Sequence, residues 1–372
     1  MGCTKEECET HSLHTLTNGE KMGLNHLVEE ARSFEMSVDF GKPKILVVGC
    51  GGAGNNSVDR LKRIGVHGAE TVAINTDKMH IDRIEADKKA LIGRAITRGM
   101  GAGGCPEVGE RCAHLAEDDL RRLIGGADMT FITVGMGGGT GTGVAPVVAR
   151  LAESMGSVVV AIATTPFDAE KRRCLRAKEG LEKLRRHCDS VIVLDNNRLV
   201  EMVPKLPIEQ AFCVMDQLIS EVIRGITETI TLPSLINLDF ADVRTMMSTG
   251  ETATILYGEN SADDPEQVIV ETLNNPLLDI DYTDASGALI HLTSGPSLSL
   301  GTAYSVVNGI SSQLNEDANV IFGARLDPDF EGVIRVMSII TGVHSVNLLS
   351  PSSGQVVYDD EPLLTHGVSL VT

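Results

Sequence analysis

The chain has 372 residues, of which 42% are hydrophobic and 22% charged, and its formal net charge is −19. This is the composition of a folded globular protein with room for two domains. Such an acidic chain, with 3% aromatic residues and no tryptophan, is poorly suited to binding the phosphates and bases of nucleic acids. No apolar run reaches the roughly 18 residues of a membrane span, so we expect no direct membrane insertion. Eight irregularly spaced cysteines predict reduced thiols and a cytoplasmic location.

Residues 1–40 are predicted to form an N-terminal extension. Cys3, Cys8, His11 and His14 have a spacing that zinc ligands could use. Nothing in the surrounding sequence would pack around a metal, so we interpret the segment as a polar tail, with metal binding as the less favoured alternative.

Strands and helices alternate from residue 44 onward. Runs rich in Val and Ile predict buried strands at 44–49, 70–77, 128–135, 157–165 and 190–195, with helices between them. Continuous apolar strands separated by helices are typical of a Rossmann-like parallel sheet covered on both faces. We assign this first domain to residues 41–207. In such α/β folds the ligand binds at the carboxyl ends of the strands.

A long helix and a second domain are predicted to follow. Apolar residues recur at helical spacing over 208–231, and Pro233 stands just beyond. Residues 232–345 again alternate between strand and helix patterns, which predicts a smaller α/β domain with a mixed sheet. Residues 346–372 carry turn-forming and acidic residues without a sustained period and are interpreted as a tail.

The first glycine-rich loop, GCGGAGNN at 49–56, follows the first strand and opens a helix. It satisfies GxGxxG, and Asp77 ends the next strand. That combination fits a dinucleotide site in which the acid binds a ribose hydroxyl, so one hypothesis is an NAD-dependent oxidoreductase. The alternative is a tight turn that binds no ligand.

Two further glycine loops favour a longer anion. They are RGMGAGGCP at 98–106 and GGGTGTG at 137–143, and the second joins a strand to a helix. Its amides would meet an anion at the positive end of the helix dipole, with hydroxyls from Thr140 and Thr142. The chain lacks GxxxxGK[ST], so amides, the dipole and a divalent cation such as Mg²⁺ would have to balance a triphosphate.

Two pairs of residues suggest what the rest of the site does. Phe212 and Asp216 are i and i+4 on the long helix and share a face, where a ring could stack on guanine and a carboxylate accept its N–H groups. Asp239 and Asp242, in NLDFAD at 237–242, could orient a water toward a γ-phosphate. The alternatives are a core phenylalanine, a solvated carboxylate and a helix cap.

Together, GGGTGTG and NLDFADVR resemble the signatures of FtsZ, the tubulin-like cell-division GTPase, in its archaeal form. The resemblance covers about residues 40–345. It implies a GTPase domain, a long central helix and a C-terminal activating domain. It also implies GTP or GDP as ligand, Mg²⁺ and a monovalent cation as ions, and head-to-tail homopolymers that stimulate hydrolysis. Membrane-tethering adaptors and a mid-cell division ring are further expectations.

The resemblance also implies a set of nucleotide-contacting residues. These are Gly51, Gly52, Asn55, Ala73, Asn75, Gly101, Ala102, Gly103, Gly138, Gly139, Thr140, Gly141, Thr142, Pro166, Glu170, Arg173, Asn196, Phe212 and Asp216. In the family, Asn237, Asp239 and Asp242 would act on the nucleotide of the neighbouring subunit.

One position departs from the family pattern. The family arginine expected four residues after Glu170 is replaced by Cys174, and a one-residue shortening would bring Arg173 into that role. Two other functions remain open at this point: the NAD-dependent oxidoreductase, which leaves GGGTGTG and NLDFAD without a role, and a tubulin-like scaffold that barely hydrolyses nucleotide.

Overall fold

The structure, a computed structural model, describes residues 43–232, 235–236, 239–247, 253–273, 280–282 and 284–345. The N-terminal extension with its Cys and His residues, the tail at 346–372 and Asn237 therefore lie outside the described residues. Within the described ranges, no helix combines the length and apolarity that crossing a bilayer requires.

The first sheet has six parallel strands in the order β3-β2-β1-β4-β5-β6. Its strands are β1 (Ile45–Cys50), β2 (Ala69–Asn75), β3 (Lys88–Leu91), β4 (Met129–Gly135), β5 (Val158–Thr165) and β6 (Ser190–Asp195). Every residue of β1 is buried, as expected for a strand covered on both faces. The predicted parallel sheet is confirmed, and its order reverses between β1 and β4, where such folds bind ligands.

Eight helices follow these strands in the described part of the first domain. They are α1 (Gly51–Ile64), α2 (Lys78–Arg83), α3 (Arg94–Thr97), α4 (Pro106–Leu115), α5 (Glu117–Ile124), α6 (Thr140–Ser154), α7 (Lys171–Arg185) and α8 (Asn196–Met202). Asp77 caps α2 by accepting the amide of His80, and Asp195 caps α8 by accepting the amide of Asn197. Both aspartates end a strand-to-helix turn at the edge of the sheet.

The long helix α9 (Ile208–Thr231) lies against both α/β regions. Its apolar side, including Met215, Ile219 and Ile223, shares a core with Phe131 of the first sheet. The same core continues to Met337 of the second sheet. The predicted central helix is therefore the element through which the two regions are packed together.

The second region contains a four-stranded mixed sheet in the order β10-β9-β11-β7. Its elements are α10 (Phe240–Met247), β7 (Ala253–Ser261), α11 (Pro265–Leu273), β8 (Ile280–Asp281), β9 (Gly287–Ser294), α12 (Leu300–Ser311), β10 (Asn319–Leu326), β11 (Val333–Thr341) and β12 (His344–Ser345). Strands β9 and β10 are parallel, whereas β11 is antiparallel to β9 and β7. The predicted mixed sheet is confirmed, and β8 and β12 form a separate short ribbon.

Candidate functional site

A cleft with two lobes lies at the carboxyl edge of the first sheet. The glycine lobe, about 380 Å³, is lined by Gly52, Ala53, Asn75, Asp77, His80, Gly101, Gly135, Met136, Gly138, Gly139, Thr140, Gly141, Thr164, Thr165, Pro166, Glu170, Arg173, Asn196 and Phe212. The aromatic lobe, about 320 Å³, is lined by Gly52, Ala53, Asn56, Ser57, His80, Thr133, Val134, Gly135, Thr164, Asn196, Phe212, Met215, Asp216 and Ile219. Because the lobes share several walls, including Gly52 and Phe212, one extended ligand could occupy both.

Two helix N-termini open into the glycine lobe. Helices α1 and α6 begin at Gly51 and Thr140, and neither has a side-chain cap or an acidic residue in its first turn. The first amides of a helix have no partner within it, and the helix dipole makes that end positive. The lobe is therefore suited to an anion, which these backbone amides would meet.

The two helix starts touch one another through glycine. Gly51 has φ of +74°, and a Cβ there would lie 2.6 Å from the amide nitrogen of Gly141. Both the backbone conformation and the space exclude a side chain. Gly51 does not line the cleft, but it allows the first loop to meet GGGTGTG closely enough for both to contact one ligand.

The glycines of GGGTGTG have different tasks. A Cβ at Gly137 would lie 2.6 Å from the carbonyl oxygen of Arg173, and one at Gly139 would lie 2.8 Å from the amide nitrogen of Cys105. Gly143 is closed in by α4 in the same way. At Gly138 a Cβ would meet nothing within 4 Å among the described residues. Most of these glycines thus allow protein segments to pack, and Gly138 presents open backbone to the cleft.

The two threonine hydroxyls of this loop are not equivalent. The Thr140 hydroxyl lies 2.6 Å from that of Thr76, and Thr140 lines the glycine lobe. Thr142 is 3% exposed and packs against Gly180. Thr140 thus presents its hydroxyl at the wall of the lobe, whereas the Thr142 hydroxyl is buried and has no partner among the described residues.

Several predicted contact residues shape the cleft without lining it. Asn55 is buried, and its Nδ2 donates to the carbonyl of Ile74, which ties α1 to β2. Ala73 packs in a small core on the α2 side of β2. Ala102 lies against Gly139, and Gly103 takes φ of +60° in the loop before α4. Their positions support the loops on which the lining residues stand.

Sequence reasoning missed His80, which lines both lobes. The Asn75 Oδ1 atom accepts the amides of Thr76 and Asp77, at 2.8 and 3.2 Å, so its Nδ2 faces His80 Nδ1 at 3.3 Å. Nδ1 must therefore accept, and Nε2–H donates to Asn56 Oδ1 at 3.1 Å. The ring of His80 therefore lies between Asn75 at the end of β2 and Asn56 on α1. No sequence pattern around His80 indicated this contact, because it depends on α1 lying beside α2.

Asp77, to which the dinucleotide hypothesis gave a ribose-binding role, has a structural role as a helix cap. The Asp77 Oδ1 atom accepts the amide of His80 at 3.1 Å and so begins α2. Asp77 also pairs with Met100 as an isolated bridge, which holds the second glycine loop beside the first. Its carboxylate is a helix cap at the wall of the glycine lobe.

The aromatic lobe contains the residues expected to bind a base. Phe212 is 40% exposed, and its ring centroid lies 5.9 Å from that of Phe167. Beside it, Asp216 accepts a hydrogen bond of 2.7 Å from the Ser57 hydroxyl. Burial raises the pKa of Asp216 to about 6, with Asp59 adding to the rise and the Ser57 hydrogen bond and Arg60 opposing it. An exposed ring next to a half-buried carboxylate suits a flat ligand with N–H donors.

The remaining wall lies between the lobes. Pro166, Glu170, Arg173 and Asn196 all line the cleft, and Arg173 donates to the Glu170 carboxylate at 2.5 Å. The thiol of Cys174 instead contacts the carbonyl of Phe167 at 3.3 Å. Arg173 therefore lines the cleft, whereas Cys174 is not among its lining residues.

The two predicted catalytic aspartates lie outside the cleft. Asp239 and Asp242 are both exposed at the start of α10, and the Asp239 carbonyl accepts the amides of Asp242 and Val243. Neither aspartate lines either lobe. No group of three or more His, Cys, Asp or Glu residues in the described ranges is arranged to hold a metal.

Comparison with known proteins identifies the class that this fold and cleft define. Residues 44–204 match the model of the Tubulin/FtsZ family, GTPase domain. Residues 244–344 match the model of the FtsZ family, C-terminal domain. The protein is thus a tubulin-like GTPase with both parts of the FtsZ architecture.

Individual relatives define the family. The chain is 54% identical over 315 residues to Cell division protein FtsZ 2 of Methanocaldococcus jannaschii, covering 84% of this chain and 83% of the relative. It is 52% identical over 316 residues to Cell division protein FtsZ 2 of Halobacterium salinarum, covering 85% and 80%. The chain therefore belongs to the FtsZ family of cell-division GTPases and binds guanine nucleotide; the oxidoreductase hypothesis is not supported.

Solved structures agree with this assignment. The empty FtsZ dimer of M. jannaschii superposes with a TM-score of 0.77 at 44% identity, covering 88% of this chain and 93% of that one. A GTPγS-bound protofilament of CetZ2 from Haloferax volcanii gives a TM-score of 0.70 at 20% identity, covering 81% and 93%. The second likeness concerns the fold.

Proposed function

We propose that this protein is a self-assembling filament protein of cell division, in which one subunit binds GTP and the next subunit completes the site for its hydrolysis. The observation that carries the proposal is the separation of the cleft from Asp239 and Asp242. The cleft can bind a nucleotide, but the two acids expected to act on it are exposed elsewhere on the chain.

The glycine lobe would hold the triphosphate. The amides at the starts of α1 and α6, the Thr140 hydroxyl and the backbone at Gly138 provide donors for phosphate oxygens without a lysine. Pro166, Glu170 and Arg173 would lie beside the ribose, with Asn196 between sugar and base. This assignment gives residues 41–207 the binding role and residues 232–345 the activating role.

The aromatic lobe would select guanine. Guanine presents two adjacent donors, N1–H and the 2-amino group, which a carboxylate can accept together, whereas adenine presents an acceptor at N1. Asp216 supplies this carboxylate, and Phe212 offers a partly exposed ring on which the base can stack.

A magnesium ion fits the donor set of the glycine lobe. Mg²⁺ in nucleotide sites is held mainly by phosphates and water with one or two carboxylates. Asp77 uses Oδ1 to cap α2 and lines the same lobe, so its carboxylate is available on that wall. The ion would reduce the charge of the triphosphate. A monovalent cation is a further candidate for the contact between subunits.

Assembly would join two different surfaces. Met79 and Met100, beside the glycine lobe, are 71% and 76% exposed, and Leu300 and Tyr304 on α12 are 80% and 69% exposed. Unlike surfaces joined head to tail form open filaments and not closed rings. The FtsZ of M. jannaschii has been solved as a dimer, and CetZ2 as a protofilament. We propose the same mode of assembly here.

In the assembled site, Asp239 and Asp242 would orient the water that attacks the γ-phosphate. The water oxygen forms a bond to phosphorus, the bond to the β–γ bridging oxygen breaks, and GDP and inorganic phosphate leave with the water's protons. Adaptors that tether the filament to the membrane, and a position in the mid-cell division ring, complete the proposal.

The first test is the GTPase rate per subunit as a function of protein concentration, with Mg²⁺. We expect the rate to rise above a threshold concentration, and Asp239→Ala to abolish it while GTP binding persists. Asp118→Ala, an exposed acid in the first turn of α5, is the matched control and should hydrolyse GTP normally. A rate per subunit that is independent of concentration would contradict catalysis between subunits.

A mixing experiment separates the two subunits' contributions. Asp216→Asn should bind xanthosine triphosphate in place of GTP, because the Asn amide can donate to the xanthine 2-carbonyl. Asp239→Ala binds GTP but lacks the acid. With both triphosphates present, phosphate from labelled GTP should appear when the two variants are mixed and not with either alone. No release from the mixture, while Asp216→Asn hydrolyses xanthosine triphosphate, would show catalysis within one subunit.

A further inference from the structure

Ser57 connects the first nucleotide loop to the base-binding end of α9. It lies in the second turn of α1, is 2% exposed, and lines the aromatic lobe. Its hydroxyl is 2.7 Å from Asp216 Oδ1. An ionised carboxylate can only accept, so the hydroxyl donates. The carbonyl of Ala53, at 3.4 Å, is the weaker of the two acceptors within its reach.

We propose that Ser57 is a positioning residue that fixes the orientation and the charge of the Asp216 carboxylate and thereby sets the guanine selectivity of the cleft. This inference rests on the proposed function, because it requires that Asp216 accept the donors of the base.

The geometry leaves the carboxylate free to bind guanine. A carboxylate has about four lone-pair positions, and Ser57 occupies one of them on Oδ1. Rotation of the carboxyl group is restricted, because the hydroxyl lies on α1 and its acceptor on α9. The two oxygens can then meet two adjacent N–H donors without a rearrangement at the moment of binding.

The contact between the two helices is held independently by Ser220. The Ser220 hydroxyl lies 2.7 Å from the backbone carbonyl of Asp216 and 3.3 Å from that of Ser57. The Ser220 hydroxyl thus reaches across to the Ser57 backbone, whereas Ser57 binds the carboxylate itself. This division of tasks gives a control variant that disturbs the same helix contact without touching the carboxyl group.

The charge of Asp216 depends on few neighbours. On α1, Arg60 favours the ionised carboxylate and Asp59 disfavours it. On α9, Gln217 binds Arg60 at 2.7 Å, and across the lobe α2 presents His80. Burial raises the pKa of Asp216 to about 6 although Ser57 already lowers it. Removing the hydroxyl must raise this pKa further, so the neutral acid, which cannot accept both guanine donors, would appear closer to neutral pH.

The test is the affinity for GDP and for inosine diphosphate, which lacks the 2-amino group, from pH 5.5 to 8 by calorimetry. At pH 7, Ser57→Ala should bind GDP about tenfold more weakly, as for loss of a hydrogen bond to a charged group. Its GDP-to-inosine-diphosphate ratio should fall, and the midpoint of its pH dependence should move up. Ser57→Thr, which keeps the hydroxyl, should restore the nucleotide ratio and the pH midpoint.

Ser220→Ala should lower the thermal midpoint of unfolding but leave the nucleotide ratio and the pH midpoint unchanged. The inference is overturned if Ser57→Ala retains the wild-type ratio and pH midpoint, or if Ser220→Ala shifts them as much. A wild-type protein that binds ADP as tightly as GDP would instead overturn the proposed function, and this inference with it.

Discussion

The two halves of helix α9 face opposite kinds of environment. The first half presents Phe212 and Asp216 to a cleft lobe of about 320 Å³. The second half presents Glu221 and Glu228 to the second sheet, where the cavity is about 20 Å³. The first environment is an open cleft with room for a ligand, whereas the second is closed by packing against the sheet. One helix thus carries both a binding wall and a structural contact.

The contact of the second half is made by side chains. Glu228 Oε2 lies 3.1 Å from Arg325 of β10, and Glu221 lies 3.9 Å from Arg335 of β11. Glu228 Oε1 also lies 3.1 Å from Arg224 of the same helix. In the cleft, by contrast, the glycine lobe offers backbone amides from its glycine-rich loops, and the aromatic lobe presents the partly exposed Phe212 and Asp216. The difference teaches that a site for a variable ligand leaves polar groups available, while a permanent contact pairs them within the protein.

Gly51→Ala should have the largest effect on the cleft. The new Cβ would meet the Gly141 amide at 2.6 Å, so the two loops would separate and GTP affinity should fall at least about a hundredfold, as when several hydrogen bonds to charge are lost. Gly65→Ala is the matched control, with φ of +87° and nothing within 4 Å among the described residues. It should cost about 1–2 kcal/mol of stability and leave GTP affinity unchanged. Equal GTP affinities of the two variants, by calorimetry, would contradict the contact.

Glu228→Gln should weaken the contact of α9 with the second sheet and leave the nucleotide cleft unchanged. Glu228 and Arg325 are each 12% exposed, and removing one partner of such a pair costs about 3 kcal/mol or more. We expect that loss in urea unfolding, with GDP affinity unchanged. Asp119→Asn removes a pair in which both side chains are 77% exposed and should change stability little. A Glu228→Gln protein as stable as wild type would show that the pair does not stabilise the contact.

As the pH falls, the two environments of α9 should change the stability of the protein in opposite directions. Burial lowers the pKa of His291 from 6.5 to about 4, with Arg325 adding to the effect. The unfolded state then binds a proton first as the pH falls, so His291 removes up to about 3 kcal/mol of stability between pH 6.5 and 4. Asp216 acts in the opposite direction: its pKa is raised from 3.8 to about 6, so the folded state gains stability as the pH falls through 6.

The variants to measure are His291→Gln and Asp216→Asn, by urea unfolding at several pH values. Relative to wild type, His291→Gln should gain stability as the pH falls from 6.5 to 4, and Asp216→Asn should lose it. Parallel curves for all three proteins would contradict the opposite pKa shifts of the two groups.

Phe212→Ala should have the smallest effect. Because the ring is 40% exposed, its removal should change stability by less than about 1 kcal/mol. GDP affinity should fall about tenfold, as expected for a lost stacking partner worth about 1–3 kcal/mol. Tyr304→Ala, an exposed ring on α12, is the control and should leave GDP affinity of the isolated subunit unchanged. Unaltered GDP binding in Phe212→Ala would remove Phe212 from the base site.

The sequence predicted those parts of the fold that depend on local pattern. Continuous Val and Ile runs predicted the parallel strands, and helical spacing predicted α9 from residue 208 to 231. The short strand β3, with the sequence KKAL, was missed because two polar residues followed by two apolar ones show no alternating pattern. The glycine loops were found, but their division into packing positions and the open Gly138 required the neighbouring segments.

Site residues were predictable where they belong to a motif. Gly138, Thr140 and Asp216 were found in this way and line the cleft. His80 and Ser57 were missed, since each acts through a partner on another element. Asp77 was found, but its part as a helix cap was not predicted, because in sequence a carboxylate after a strand looks the same whether it binds a ribose or caps a helix.

The sequence by itself determined the order of the elements, the glycine loops and the membership of the FtsZ family, because these follow from short-range patterns. The tertiary structure decided which groups meet: Ser57 with Asp216, 159 residues apart, Gly51 with Gly141, and Glu228 with Arg325. Such contacts depend on how helices settle against two sheets, and no local pattern records that packing. This packing also decides whether a carboxylate is available to a ligand, as Asp216 is, or paired within the protein, as Glu228 is.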